Sequence, residues 1–177
     1  MSKPFQFCPH CSKPLVTNTF PSHCPDTACG FIHYDNPVPV VAAIVETPAG
    51  VVLAHNVMWP AGIFSIPTGF LEHREDPTQA VIREVQEELG LTCDKASLVG
   101  VFPFAQQNQV IMAYHLWAEG NIALGEELDE FKVIAVDRLK GWGFGTGLAI
   151  QAWLKTRRNE SARPGGAESS AQCQTST

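Results

Sequence analysis

Closely spaced carboxylates that could bind a metal ion lie in the stretch from Gly69 to Leu91. Glu84, Glu87 and Glu88 follow the spacing i, i+3 and i+4, so on a helix they share one face, with Cβ atoms about 5–6 Å apart. Such carboxylates repel one another unless a cation lies among them, and hard divalent cations such as magnesium take oxygen ligands. The spacing therefore predicts a metal site on a helix. The alternative is an acidic helix face exposed to solvent, which is common.

The helix that would carry these carboxylates is predicted to begin near Pro77 and to end at Gly90. Proline suits the first helical turn, since its missing N–H would have no partner there, and Asp76 can cap the open N–H groups. Gly90 tolerates the left-handed conformation at a helix end. Arg83 is expected to orient a carboxylate rather than to touch a substrate. The apolar face that would enter a core comprises Val81, Ile82, Val85 and Leu89.

This stretch resembles the signature box of the Nudix hydrolases, Gly-x5-Glu-x7-Arg-Glu-apolar-x-Glu-Glu-x-Gly-apolar, and every fixed position is met. The resemblance implies an α/β fold, the Nudix α/β/α sandwich with a mixed sheet. It also implies hydrolysis of a nucleoside diphosphate linked to another group X. The implied cofactor is Mg²⁺ or Mn²⁺, bound by Glu84, Glu87 and Glu88. The carbonyl of Gly69 would often join them, and Glu75 would support them.

Two cysteine pairs before this region predict a second metal site. Cys8 and Cys11 form the first pair, and Cys24 and Cys29 form the second. Four thiolates satisfy tetrahedral zinc, and a site with no open position is structural rather than catalytic. The pairs therefore predict a small zinc ribbon over residues 1–36. The alternatives are two disulfides or unrelated thiols, which are disfavoured because the N-terminus lacks the apolar core of a secretory signal.

Length, charge and hydropathy limit the function classes. The chain has 177 residues, of which 45% are hydrophobic, and a net charge of −6. This length is enough for one full domain and a small module. No basic stretch is long enough to suggest a surface for long nucleic acids, which needs many phosphate-neutralising side chains. No apolar run approaches the roughly 20 residues of a membrane helix. We therefore expect no long nucleic acid, no membrane partner and a cytoplasmic location, and the resemblance implies a small nucleotide substrate.

Local patterns divide the chain into three parts: a ribbon over 1–36, a Nudix domain over 37–158 and a disordered tail over 159–177. The tail is assigned because its residues are small and polar, without periodicity. A helix is expected from Thr146 to Lys155. Apolar runs in the Nudix domain predict strands at 40–46, 51–55, 98–104, 110–117 and 131–136.

The order of ribbon, Tyr34-Asp35-Asn36-Pro37 and box is similar to the zinc-ribbon-bearing branch of the Nudix hydrolases. That branch includes the NADH pyrophosphatases and the ADP-ribose and FAD pyrophosphatases of plant chloroplasts. NADH pyrophosphatases carry a Ser-Gln-Pro-Trp-Pro-Phe-Pro-type motif after the box, whereas residues 101–109 here read VFPFAQQNQ. FAD or ADP-ribose is therefore favoured over NADH as the substrate. Because many relatives are homodimers, a homodimer is expected.

Hydrolysis by metal-bound water needs a general base within about 2.6–3.2 Å of that water, or one further water away. The candidates are Glu88, Glu127 and Glu130, and Glu130 is favoured because it directly precedes a predicted strand. The alternative for the two later residues is an ordinary acidic loop. Phe64 and Phe70 are candidate platforms for a nucleotide base, although each alone is more often a core residue.

A second hypothesis from another class is a nucleotide-sensing regulator, in which the same fold binds a nucleotide without cutting it. Zinc ribbons often bind nucleic acid, which motivates this alternative. The complete set of box glutamates argues against it, because a pure binder has no need of them. The ribbon also carries only Lys3 and Lys13 as full positive charges, which is few for phosphate contacts.

Overall fold

The computed structural model describes residues 5–161. Its first part is a small ribbon with two short strands, β1 (Ser22–His23) and β2 (Ile32–His33), which pair antiparallel. The buried residues of this part are Cys8, Leu15 and Cys24. Because so small a unit buries little apolar surface, the cysteines take the place of an ordinary core.

A six-stranded sheet forms the centre of the second part, with the strand order β6-β7-β3-β4-β8 and β5 paired to β3. β3 and β7 run parallel and the other neighbours run antiparallel, so the predicted mixed sheet is confirmed. The strands are β3 (Val38–Thr47), β4 (Gly50–Asn56), β5 (Thr68–Phe70), β6 (Ala96–Phe104), β7 (Gln109–Trp117) and β8 (Leu128–Ile134).

β3 and β4 are paired only beside their connecting turn, at Glu46 and Thr47, and they separate toward the other end of the sheet. The chain between β4 and the box fills this gap. Ser65 exchanges two backbone hydrogen bonds with Ala54 of β4, at 2.7 and 3.0 Å. β5 then pairs with residues 40–42 of β3. This insertion places Gly69 in the sheet, beside the helix that follows.

Two helices cover the two faces of the sheet: α1 (Pro77–Leu89) and α2 (Thr146–Ser161). Alternate residues of β3 divide between two separate cores, with Val41 on the α1 side and Ala42 on the α2 side. The residues of β7 alternate in the same way, since Leu116 enters the first core and Ile111 the second. The α/β/α sandwich is therefore confirmed.

The largest differences from the predicted boundaries are at the start of β8 and at the end of α2. β8 begins at Leu128, so Glu130 lies within a strand rather than in the loop before it, because Leu128 is buried and β4 offers backbone partners there. α2 continues past Lys155 to Ser161, since no glycine or proline interrupts it. Residues 159–161 of the predicted disordered tail are therefore helical, and 162–177 lie outside the described residues.

Candidate active site

The caps of α1 fix the direction of the helix that carries the box carboxylates. Asp76 accepts hydrogen bonds from the backbone N–H of Thr78 at 2.8 Å and of Gln79 at 3.4 Å. Pro77 opens the first turn, and Gly90 ends the helix in the left-handed conformation at φ 66°. Both predicted caps are confirmed. They satisfy end groups that the helix leaves without partners.

Gly69 lies directly against the carboxylate of Glu84. A Cβ atom at Gly69 would lie 1.8 Å from the carboxyl carbon and 2.0 and 2.3 Å from its two oxygens. Only glycine therefore allows the backbone of β5 and the Glu84 carboxylate to approach this closely. The structure thus brings together two fixed positions of the box that lie 15 residues apart in the sequence.

Arg83 lies among the carboxylates and contacts three of them. Its Nε and Nη2 donate to the two oxygens of Glu75, at 2.7 and 2.9 Å. Its Nη1 donates to Glu84 and to Glu87, each at 2.8 Å. The Arg83 guanidinium, together with the N–H of Glu72, holds the pKa of Glu75 at about 2. Arg83 therefore orients the acidic side chains, in the place that the sequence predicted.

Glu88 is the most buried box carboxylate, with 8% of the residue exposed, and its Oε2 atom has no hydrogen-bond partner. Burial raises the pKa of Glu88 to about 8, and the negative charges of Glu84, Glu127 and Glu87 add to this shift. Burial likewise raises the pKa of Glu84, against the opposing effect of Arg83. Buried oxygen acceptors are normally satisfied. An unpaired one among like charges fits a site for a cation that takes oxygen ligands, such as Mg²⁺ or Mn²⁺.

The two later glutamates lie in different surroundings. The negative charge of Glu127 contributes to the raised pKa of both Glu84 and Glu88. Two residues earlier, the N–H of Gly125 donates to the carbonyl of Glu88 at 3.0 Å, so this segment lies beside the box. Glu130 lies opposite His55 in the sheet, and its carboxylate is 3.7 Å from the ammonium of Lys132. The structure therefore brings Glu127 near the candidate site, whereas Glu130 contacts His55 and Lys132.

The two candidate aromatic platforms also differ. Phe64 is half-buried, with the ammonium of Lys132 3.5 Å from its ring centroid and the His55 ring 5.8 Å away. Phe70 is 58% exposed, and its carbonyl accepts a hydrogen bond from Arg83 at 3.2 Å. Phe70 therefore offers a free ring beside the box, whereas Phe64 already has a cation on its ring.

Sequence reasoning missed two residues that shape this region. Gly125 packs on the end of α1, where an added Cβ would lie 2.4 Å from the carbonyl oxygen of Glu87. His55 is buried between β8 and the loop after β4. Neither residue belongs to a motif, so only the fold identifies them. The glycine before Glu126 in an acidic loop was the one available signal for a close approach of the backbone.

The four cysteines of the ribbon converge as predicted. Their sulfur atoms all lie within 4.8 Å of one another. Burial disfavours the thiolate of Cys8, but hydrogen bonds from the backbone of Cys11 and His10 outweigh it and lower its pKa to about 7. Four sulfurs at this separation match the donor set of a tetrahedral zinc site. Elsewhere in the described part of the chain, Cys93 is buried in the core on the α1 side of the sheet, away from this cluster.

The sequence profile of the NUDIX domain matches residues 36–151, which include all of the box and the sheet. This match covers more than half of the chain, so the chain belongs to the Nudix family. Among residues 5–161, no helix is long and apolar enough to cross a membrane.

Curated relatives and solved structures agree with this assignment. The chain is 30% identical over 116 residues to the NAD-capped RNA hydrolase NudC of Vibrio atlanticus, covering 64% of this chain and 42% of that protein. It is 29% identical over 134 residues to the mitochondrial NAD(P)H pyrophosphatase NUDT13 of Mus musculus, covering 73% of this chain and 38% of that protein. The chain thus spans less than half the length of these relatives.

A NUDIX hydrolase from Nitrosomonas europaea has a similar fold, with a TM-score of 0.72 at 22% identity, over 90% of this chain and 95% of that one. An ADP-ribose pyrophosphatase from Streptococcus suis has a similar fold with a TM-score of 0.57 at 17% identity, over 70% of this chain and 93% of that one. At these identities the likeness concerns the fold alone.

Proposed function

We propose that this chain hydrolyses the diphosphate bridge of a nucleoside diphosphate linked to another group X, releasing a nucleoside monophosphate. The observation that carries the proposal is the unpaired, buried oxygen of Glu88 among the carboxylates of Glu84, Glu87 and Glu127, in a chain of the Nudix family. Such an acidic pocket would repel a diphosphate unless a cation is bound in it.

Glu84, Glu87 and Glu88 would hold Mg²⁺ or Mn²⁺, with the carbonyl of Gly69 beside Glu84. When bound, the metal would neutralise charge on the diphosphate and lower the pKa of a coordinated water. At Glu84 and Glu87 it would compete with the Nη1 atom of Arg83, which both carboxylates contact at 2.8 Å. Arg83 keeps its two further hydrogen bonds to Glu75 and so remains in place when these contacts are exchanged.

Glu127 becomes the first candidate for the general base in place of Glu130. A base must reach the attacking water, which would lie between the box and the phosphorus. The charge of Glu127 acts on two box glutamates, whereas the carboxylate of Glu130 pairs with Lys132. Glu127 would accept the proton of this water as its oxygen attacks phosphorus and the bridging oxygen leaves.

FAD and ADP-ribose remain the first candidate substrates, with NADH as the third. Phe70 supports a flat group X or base beside the box, because its ring is exposed next to Gly69. The two curated relatives are named for NAD-capped RNA and NAD(P)H. Residues 101–109 lack the motif expected of NADH pyrophosphatases, so the relatives' substrates do not decide the preference here.

A substrate panel tests the proposal. The purified protein is incubated with Mg²⁺ and, separately, with FAD, ADP-ribose, NADH, NAD and the standard nucleoside triphosphates, and products are separated by chromatography. The expected result is AMP plus the complementary phosphate from one dinucleotide or nucleotide sugar. Glu87→Gln should lose at least tenfold in kcat, and Glu160→Gln, an exposed glutamate on α2, should keep wild-type turnover.

Binding of a nucleotide without cleavage, by a folded and metal-loaded protein, would contradict the proposal and favour the nucleotide-sensing regulator.

We further propose that the ribbon holds one structural Zn²⁺ and that the chain forms a homodimer. Light scattering on the purified chain measures the latter, and a monomer mass at micromolar concentration would exclude it.

A further inference from the structure

His55 lies at the end of β4 with both of its ring nitrogens beside acceptors. Nδ1 is 2.5 Å from a carboxylate oxygen of Asp129, and Nε2 is 3.2 Å from the backbone carbonyl of Pro60. A carboxylate and a carbonyl can only accept, so both hydrogen bonds form when both nitrogens carry protons. The Asp129 carboxylate raises the pKa of His55, which favours this charged form. His55 is thus a bridge between β8 and the loop after β4.

That loop is folded as a turn whose backbone reaches Glu127. The side chain of Asn56 accepts from the N–H of Met58 at 2.9 Å, and its carbonyl accepts from the N–H of Trp59 at 2.9 Å. Between them, the N–H of Val57 donates to the carbonyl of Glu127 at 3.0 Å. The His55 bridge to Pro60 holds the far end of the same turn.

α1 holds the other side of the Glu127 segment. The N–H of Gly125 donates to the carbonyl of Glu88 at 3.0 Å, and the N–H of Leu128 donates to Gly125 at 3.2 Å. The segment is therefore held between α1 and the turn, and β8 follows it at once. Of these restraints, the turn is the one that depends on a side-chain bridge rather than on regular secondary structure.

We propose that His55 is a positioning residue for Glu127: by linking Asp129 to Pro60, it holds the 56–60 turn that fixes the Glu127 backbone and so keeps its carboxylate beside the box metal and the attacking water. The inference rests on the proposed function, in which Glu127 accepts the proton of the water at the box metal, and its negative charge beside the box also favours binding of the cation. The opposing possibility is that the bridge only stabilises the fold.

A double-mutant cycle on metal affinity tests this coupling without any substrate. Mn²⁺ binding is measured by electron paramagnetic resonance, from the signal of the free ion, for wild type, His55→Phe, Glu127→Gln and the double variant. Phe keeps a ring at position 55 but removes both donors. Each single change should weaken Mn²⁺ binding by roughly tenfold, in the range found for residues that orient ligands. The double variant should bind no more weakly than Glu127→Gln alone.

His55→Asn provides the conservative variant, since its amide can still donate to one acceptor. It should recover part of the affinity lost in His55→Phe, and it carries the test if the Phe variant does not fold. His115→Phe is the matched control. His115 also pairs with a carboxylate, Glu46, at 2.8 Å, but stacks on Trp153 at the α2 face. It should lower thermal stability and leave Mn²⁺ affinity unchanged.

Three results would overturn the proposal: wild-type Mn²⁺ affinity in both folded His55 variants, wild-type affinity in Glu127→Gln, or an equal loss from His55→Phe with and without the Glu127 side chain. The proposed function fails separately. If the coupling between His55 and Glu127 appears in Mn²⁺ binding while no nucleotide is cleaved, the positioning role stands and the hydrolase does not.

Discussion

Glu88 and Arg83 show how single residues set the charge of the site. Arg83 neutralises part of the acidic group from one side, through four hydrogen bonds to Glu75, Glu84 and Glu87. Glu88 has no such partner on Oε2 and is buried with a pKa of about 8. Without a metal, Glu88 therefore keeps its proton at neutral pH, whereas a bound cation would require the carboxylate.

This pKa gives a pH dependence with a definite sign. The raised value means that the folded, metal-free protein binds a proton that the unfolded chain releases above its ordinary pKa of 4.5. The contribution of Glu88 to the free energy of unfolding should be complete below about pH 4.5 and be lost as the pH rises to about 8. Thermal melts of chelator-treated wild type and Glu88→Gln at several pH values measure the difference.

In the absence of metal, the thermal stability of wild type should fall relative to that of Glu88→Gln as the pH rises, so the difference between the two proteins should change with pH. Saturating Mg²⁺ should reverse the trend for wild type, because the metal binds the ionised carboxylate. A difference that does not change between about pH 5 and pH 8 would contradict the buried, protonated state of Glu88 in the metal-free protein.

At the scale of elements, α1 is stabilised by its caps and by one buried face. Replacing Asp76 with Ala removes the acceptor for two open N–H groups and should lower the free energy of unfolding by about 1 kcal/mol. Urea denaturation followed by circular dichroism measures this. Asp94→Ala, at an exposed position outside any helix, is the control. Equal stability of the two variants would show that the cap contributes nothing.

The sequence predicted α1, its caps and most strands because their signals are local. Asp76, Pro77 and Gly90 each act within one turn of the helix, and the alternation along β7 reports burial on both faces. The start of β8 could not be predicted, since Leu128 is followed by two acidic residues and joins the sheet through its partners on β4. For the same reason the sequence does not show that Glu127 and His55 both contact the turn at residues 56–60. Their relation depends on pairing between distant segments.

At the scale of the whole molecule, a small ribbon precedes a sandwich with two cores. The ribbon has only three buried residues in its cluster, so its stability should depend on the metal. We expect about one zinc ion per chain by elemental analysis, from the four converging cysteines. Cys24→Ser should lose most of this zinc, while Cys93→Ser, in the core on the α1 side of the sheet, should keep it. Two results would contradict this: purified wild type that contains no zinc, or a melting temperature of wild type that a strong chelator leaves unchanged.

Hydrolysis in ¹⁸O-labelled water tests the central claim most directly. If the box drives attack of water on phosphorus, one labelled oxygen should appear in one of the two phosphate products of the best substrate, as measured by mass spectrometry. Glu87→Gln should form this product at least tenfold more slowly. Binding of the nucleotide with no labelled product from wild type, in the presence of Mg²⁺, would contradict the account.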